Sequence, residues 1–441
     1  MKLLKYLMPA VLLTTCILSL SAEAPPRGVR REVRERDYQA VQEFVNSKRT
    51  IPLEQKDCNL TISGDVRFDW ASVVERVDGF KLRGKNGLAR QNPQTGLVVI
   101  SDDPDAGFPF STNEFDIVFN LYLDYVCDRS WAVAWLQFDN FAGIEFGIRP
   151  CSQDPEGMFG SGTCDHICLR KAYIGYNLCA DGCTRFDIEL GRRPLYNVFD
   201  SRVQFQNRFD GILFRYAHNF GCWGDLYWNT GLFVVDERVN HYAYVTEMGL
   251  LNPCDYGFDI KYSFIDWRSW LTQGRNRCLT NDPIGADFRV SQITLHYNTV
   301  TEYLCQPLKL YGAFLINHDA KGIPLTLGKK ENLAWYAGIL IGEVCRAGDW
   351  AFDVNYQYVE AQAIPSSDVS GIGDRANVLR QTFTSDGRGF TNYKGWHFEA
   401  LYALTDNLSI DAILEFLTQI DRNIGGSHSY SKFEIEAIYA F

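Results

Sequence analysis

Beyond its first two dozen residues this 441-residue chain has no apolar run long enough to cross a bilayer as a helix. A typical candidate, Asn332 to Gly342, is eleven residues flanked by Glu331 and Glu343, against the ~20 that a spanning helix needs. Basic charge is also scarce: 43 Lys and Arg face 54 Asp and Glu, a formal charge of -11 that argues against a nucleic-acid partner. Catalytic signatures are missing too. There is no HExxH or GxSxG, and GIPLTLGKK at Gly322–Lys330 puts five residues, not four, between its glycines and no Ser or Thr after Lys329. Cys164-Asp165-His166-Ile167-Cys168 lacks a second ligand pair at metal-site spacing, and loop disulfides explain it more simply. Asp102, Asp103 and Asp105, or Asp368 with Asp374, read as solvated loop acids. No enzyme activity, no metal and no cofactor are expected.

What is present begins with Lys2 and Lys5 before an apolar run, Leu7 to Leu20, followed by Ser21, Ala22 and Ala24. This is the pattern of a secretory signal peptide over residues 1–22. Its removal takes away Lys2, Lys5 and Cys16, which moves the charge from -11 to -13 and leaves twelve of the thirteen cysteines. An exported chain can oxidise them. Residues 23–57 then read as a periplasmic segment, with Val29, Val33, Val41 and Val45 at multiples of four predicting a short helix over 28–48 that Pro52 ends.

From Cys58 the period changes from four to two. Leu60, Ile62, Val66, Phe68 and Trp70 alternate with Thr61, Ser63, Asp65, Arg67 and Asp69, and the same grammar recurs to give sixteen strands over 58–441. Short connections, such as Cys127-Asp128-Arg129-Ser130 and Thr405-Asp406-Asn407, alternate with long ones, such as 76–112, 191–208 and 361–392. Short turns on one rim, long loops on the other and an even strand number are the grammar of a membrane barrel, because lipid tolerates no unpaired backbone edge. The fold class expected is therefore all-β: a transmembrane antiparallel β-barrel of about sixteen strands with a short N-terminal periplasmic helix. Trp70, Tyr125, Trp131, Trp267, Tyr297, Trp350, Tyr358 and Tyr402, near strand ends, suit interfacial girdles.

In SKFEIEAIYAF, Phe433, Tyr439 and Phe441 share one apolar face, so this strand closes the cylinder against the first. Phe441 resembles the signal by which Gram-negative bacteria insert outer-membrane proteins through their barrel-assembly machinery. The segment GRRPLYNVFDSRVQFQNR, Gly191–Arg208, carries four arginines and one acid, Asp200. In sixteen-stranded porins the third long loop commonly folds into the lumen; that resemblance puts Arg192, Arg193, Arg202 and Arg208 at a pore constriction. His397, Glu399, Asp411, Glu415, Glu434 and Glu436 occupy inward positions of the last strands and form a mostly acidic wall opposite. A basic loop facing acidic strands reverses the polarity usual in general porins.

Cys58, Cys127, Cys179, Cys183, Cys222, Cys254, Cys305 and Cys345 precede the first strand or sit in short turns. Dispersed around a rim, they are poorly placed to bridge within one barrel, Cys179 and Cys183 excepted, since a disulfide needs Cα atoms within about 7 Å. In this habit the chain resembles the cysteine-rich outer-membrane proteins of chlamydia-like bacteria, whose envelopes are held by disulfides. The resemblances together imply an outer-membrane, multi-pass porin with a periplasmic N-terminus, in contact with lipid, passing small hydrophilic solutes, and crosslinked to other envelope proteins. A homotrimer is among the assemblies they imply. The rival expectation is a structural or adhesive barrel that works through its long loops.

Overall fold

The computed structural model describes residues 51–55, 58–77, 80–83, 89–91, 98–100, 113–139, 167–236, 241–269, 288–301, 306–322, 326–365, 368–372, 391–424 and 427–441. The expected signal peptide and the helix over 28–48 lie outside these residues. Sixteen strands form the wall: β1 (Cys58–Val77), β2 (Asn113–Cys127), β3 (Ser130–Asp139), β4 (Ile167–Ala180), β5 (Thr184–Pro194), β6 (Arg208–Asn219), β7 (Asp225–Asp236), β8 (His241–Leu251), β9 (Phe258–Ser269), β10 (Arg289–Val300), β11 (Pro307–Asn317), β12 (Leu333–Gly342), β13 (Trp350–Val359), β14 (Tyr393–Ala403), β15 (Leu408–Gln419) and β16 (His428–Ala440). Each is antiparallel to its sequence neighbours, and β16 pairs with β1 from Asp65↔Ala440 to Val77↔His428, which closes the cylinder. Closure leaves no strand edge, the condition for stability in lipid.

Two short strands attach to β1 and differ from the sequence expectation. Ile51–Gln55 folds back on Cys58–Ile62, and Phe80–Arg83 folds back on Val74–Val77. At the β2–β3 hairpin the turn is only Asp128–Arg129, with Asp128 at φ 52°, a left-handed conformation that Asp tolerates better than most side chains.

Side chains partition by the two-residue period. Phe68, Phe115, Ile117, Phe119, Leu232, Met248, Ile260, Ile293, Leu295, Phe433, Ile435 and Tyr439 are exposed on the outer face, an apolar belt far larger than a water-facing surface carries. Asn120, Asp187, Glu189, Glu247, Lys261, Gln292, Asp353 and Asn355 are buried on the inner face. Trp131 and Trp267 correct the girdle reading. Trp267 is buried inside the barrel against Phe209, and Trp131 lies on the inner side under the Arg185 guanidinium. Both lie at inward positions of the alternation, so nearness to a strand end did not decide which face they take.

Phe441 continues the β16 ladder. Its N–H donates to the Gly64 carbonyl at 2.9 Å, its carbonyl accepts from the Gly64 N–H at 3.0 Å, and its ring stacks on Phe119 with centroids 6.4 Å apart. A Cβ at position 64 would lie 2.7 Å from that ring, so glycine there is what lets the phenylalanine seat.

Candidate functional site

The connection between β5 and β6 does not project outward. It turns inward through a 3-10 turn, Leu195–Asn197, and residues 195–207 fill part of the lumen. Leu195, Val198, Phe199, Val203 and Phe205 are buried with inward Leu213, Phe233, Val245, Ile265, Val290 and Leu315 of the wall. Ala363, Ile364, Val369 and Ile372, from the connection after β13, join the same cluster. A lumen apolar on this side follows directly from the sequence: β6 to β12 carry aliphatic residues at inward positions where β15 and β16 carry acids.

Polar anchors hold the segment at three points. Asp200 receives a hydrogen bond from Lys261 Nζ at 2.7 Å and lies 3.1 Å from His296 Nε2, while its N–H donates to Glu247 at 2.9 Å. Burial alone would raise the Asp200 carboxyl, but Lys261 and His296 outweigh it and hold the group well below the usual carboxylate range. Arg202 donates to Asp353 at 2.7 Å and stacks over Tyr311, 4.9 Å from the ring centroid. Asp368 accepts from Phe205 N–H at 3.1 Å, Asn207 N–H at 3.2 Å and Asn207 Nδ2 at 2.7 Å, tying the inserted segment to the β13–β14 connection.

The four arginines do not converge. Arg192 and Arg193 belong to β5, not to a loop, and alternation sends them to opposite faces. Arg193 is buried inside, paired with Glu189 and 4.4 Å from the Tyr173 ring centroid. Arg192 faces outward and makes a bidentate pair with Asp210 at 2.8 and 3.0 Å, which corrects its assignment to the lumen. Arg208 opens β6 and donates to Tyr196 Oη at 3.2 Å. Arg202 is the one that the inserted segment carries into the lumen, where Asp353 and Glu399 both act on its charge.

The acidic residues expected on the last strands do face inward. His397, Glu399, Asp411, Glu415, Glu434 and Glu436 all take the inner face of β14–β16. Glu415 is compensated, with His397 Nδ1 at 3.1 Å and Lys432 Nζ at 3.6 Å. Lys432 also meets Glu434 at 2.9 Å, and Arg67 of β1 reaches Asp65 at 2.6 Å and Glu436 at 3.7 Å. Sequence reading missed Lys261, His296, Asp353 and Asp368 as partners of the inserted segment. Two-residue parity puts the first three on the inner face, but nothing local says which strand a folded loop will reach.

One cysteine pair departs from the expected dispersal. Cys127 stands directly opposite Cys58 in the β1–β2 ladder, so these two are cross-strand neighbours within one chain, and Cys127 is not among the free thiols. Spacing between successive turns is about 10 Å, but the first strand starts beside the end of the second. Cys179, Cys183, Cys222 and Cys254 are free and exposed, and Cys345 is half-buried, its Sγ 3.7 Å from Glu343 Oε1. Cys305 lies outside the described residues.

No family model matches the chain, and no curated protein matches its sequence. Among solved structures, OprB of Pseudomonas putida superposes with a TM-score of 0.50 at 11% identity, over 87% of this chain and 94% of that one. The fold is that of an outer-membrane porin. OmpF of Salmonella typhi, solved with daunomycin, gives a TM-score of 0.49 at 11% identity over 89% of this chain and 100% of that one. The channel DcaP of Acinetobacter baumannii gives 0.45 at 10% identity over 88% and 99%.

Proposed function

We propose that this chain is an outer-membrane porin that lets small hydrophilic solutes diffuse between Arg202 on the inserted segment and the acidic wall of β14–β16. The observation that carries this reading is the closed sixteen-strand cylinder with an apolar exterior, a charged interior and a loop folded inside it. At this strand number a barrel is too wide for its own wall side chains to fill. Short turns would face the periplasm and long loops the exterior, and assembly as a homotrimer fits the reading. Purified protein in a planar bilayer should give stepwise ohmic conductance. Arg202→Gln should shift the reversal potential toward cations, because it removes the positive charge that the inserted segment carries into the lumen, whereas Arg192→Gln should leave it unchanged. A silent bilayer from correctly folded protein would favour a structural or adhesive barrel instead.

The same reading includes attachment to other envelope proteins through the exposed thiols of Cys179, Cys183, Cys222 and Cys254, with Cys345 on the same rim. Turn geometry does not call for cysteine, and the closed ladder does not need disulfides to hold its fold. Envelope extracts run without reductant, with thiols blocked at harvest, should show high-mass species that collapse to monomer with thiol. Cys222→Ser with Cys254→Ser should thin them. A monomer under those conditions would rule the crosslinks out.

A further inference from the structure

We propose that Cys222 and Cys254 form an intrachain disulfide between two neighbouring short turns, and that this bridge is the group that captures thiols of envelope partners. The capture step rests on the attachment reading above; the bridge itself does not. Cys222 lies in the turn between β6 and β7 and Cys254 in the turn between β8 and β9, and both are exposed. The two turns flank one strand pair. β7 and β8 are in register at Asp225↔Leu251, and Cys222 and Cys254 stand three residues beyond that pair, one on each chain segment, at positions that the same register sets opposite one another.

The turns do not part where the ladder ends. The 3-10 turns Gly221–Trp223 and Pro253–Asp255 pack on one another, and a Cβ on Gly224 would lie 3.1 Å from Pro253 Cα, so glycine at this position, φ 91°, lets the first turn close on the second. The second turn is braced from within. Asn252 Oδ1 accepts the Gly257 N–H at 2.7 Å, Asn252 Nδ2 donates to Asp255 at 3.2 Å, and the Asn252 N–H donates to Asp259 at 3.0 Å. Cys254 itself takes φ 56°, a left-handed conformation that Gly, Asn or Asp meets more easily. Turn geometry therefore opposes cysteine here.

A disulfide needs Cα atoms within about 7 Å, and the spacing of about 10 Å between successive hairpin turns does not govern two turns that fold together over a shared strand pair. The same rim supplies a precedent, because Cys127 stands directly opposite Cys58 and is not a free thiol. Cys183 is the competing partner for Cys222. Its carbonyl accepts the Asn219 N–H at 2.8 Å, but the β5–β6 register sets it opposite Asn219, not Cys222. Glutathione disulfide suffices as the oxidant: the Cys222–Cys254 bond forms, the glutathione S–S bond breaks, and two electrons and both thiol protons leave with two reduced glutathiones. Capture then needs no further oxidant. A partner thiolate attacks one sulfur, the Cys222–Cys254 bond breaks, and the released thiolate takes up a proton.

Glutathione disulfide is also the probe, added to the full, detergent-folded protein after reduction, with remaining thiols then blocked and peptides mapped by mass. The wild type should give a linked Cys222–Cys254 pair that carries no glutathione, because the second thiol expels it from the first. Cys254→Ser should instead retain glutathione on Cys222, and Cys222→Ser should retain it on Cys254. Heat-modifiable migration on gels verifies that each variant is folded. A wild type that retains glutathione on both cysteines, leaves both open to the blocking reagent, or links Cys222 to Cys183 would overturn the bridge. High-mass envelope species undiminished by Cys222→Ser with Cys254→Ser would overturn capture by this pair. A linked pair in a protein whose envelope extracts show no high-mass species would support the bridge and sink the attachment reading alone.

Discussion

A chain lacking Phe441 is expected to be synthesised normally and to reach the outer membrane poorly, with folded, heat-modifiable barrel falling by tenfold or more. The residue contributes three things at the seam where the cylinder closes. Its backbone makes a reciprocal pair of hydrogen bonds with Gly64, and its ring stacks on Phe119 of β2 across the face of Gly64. Removing it strands the Gly64 N–H and carbonyl, each at a cost of several kcal/mol where water cannot reach them. Even one such group shifts an assembly equilibrium by more than an order of magnitude. Phe441→Ser keeps the backbone and deletes the ring, so it separates ladder from side chain; loss of the stack on Phe119 predicts a smaller drop than the deletion gives. Gly64→Leu should behave like the deletion, because the added side chain occupies the position of the ring. Wild-type surface abundance for the chain lacking Phe441 would show that the seam does not depend on this residue.

The wall of this protein was legible in its sequence because a strand's two-residue period maps chemistry to faces without reference to anything distant. Sixteen apolar alternations with short and long connections yield sixteen strands, and the inward placement of Glu399, Asp411, Glu415 and Glu434 follows from parity alone. The same parity, applied to Arg192 and Arg193, would have separated them; reading Gly191 to Arg208 as one loop suspended the rule where β5 still ran to Pro194. What the sequence did not disclose is non-local. Asp368 is 163 residues from Phe205 and looks like an isolated loop acid, yet it caps two backbone N–H groups inside the lumen. The Cys58–Cys127 register likewise depends on where β1 begins relative to the end of β2, a closure property that no local pattern contains.

Release of the inserted segment should raise single-channel conductance, and the size of the anchors sets which change achieves it. Asp368→Ala removes one acceptor from three donors of Phe205 and Asn207. Stranding donors costs about 1–3 kcal/mol each, less where lumen water can rehydrate them. Against this stand the buried side chains of Leu195, Val198, Phe199, Val203 and Phe205, each contributing about 1.5–3 kcal/mol. Apolar burial is the larger sum, so Asp368→Ala alone should leave the segment docked and add only current noise. Combined with Phe205→Ala, a further 3–5 kcal/mol, the two losses approach the docking energy. The double variant should conduct more than the wild type and become cleavable within 195–207, with its barrel ladder intact. Acid should act through the third anchor in the same direction. Because the folded Asp200 is held below its unfolded value, its contribution is complete above about pH 4 and is lost as pH falls toward the folded value. The double variant should therefore open further only as pH falls below about 4 toward the folded value, while neither protein changes through this group above it. Unaltered conductance and protease resistance in the double variant at both neutral and acid pH would mean that residues 195–207 do not limit the passage.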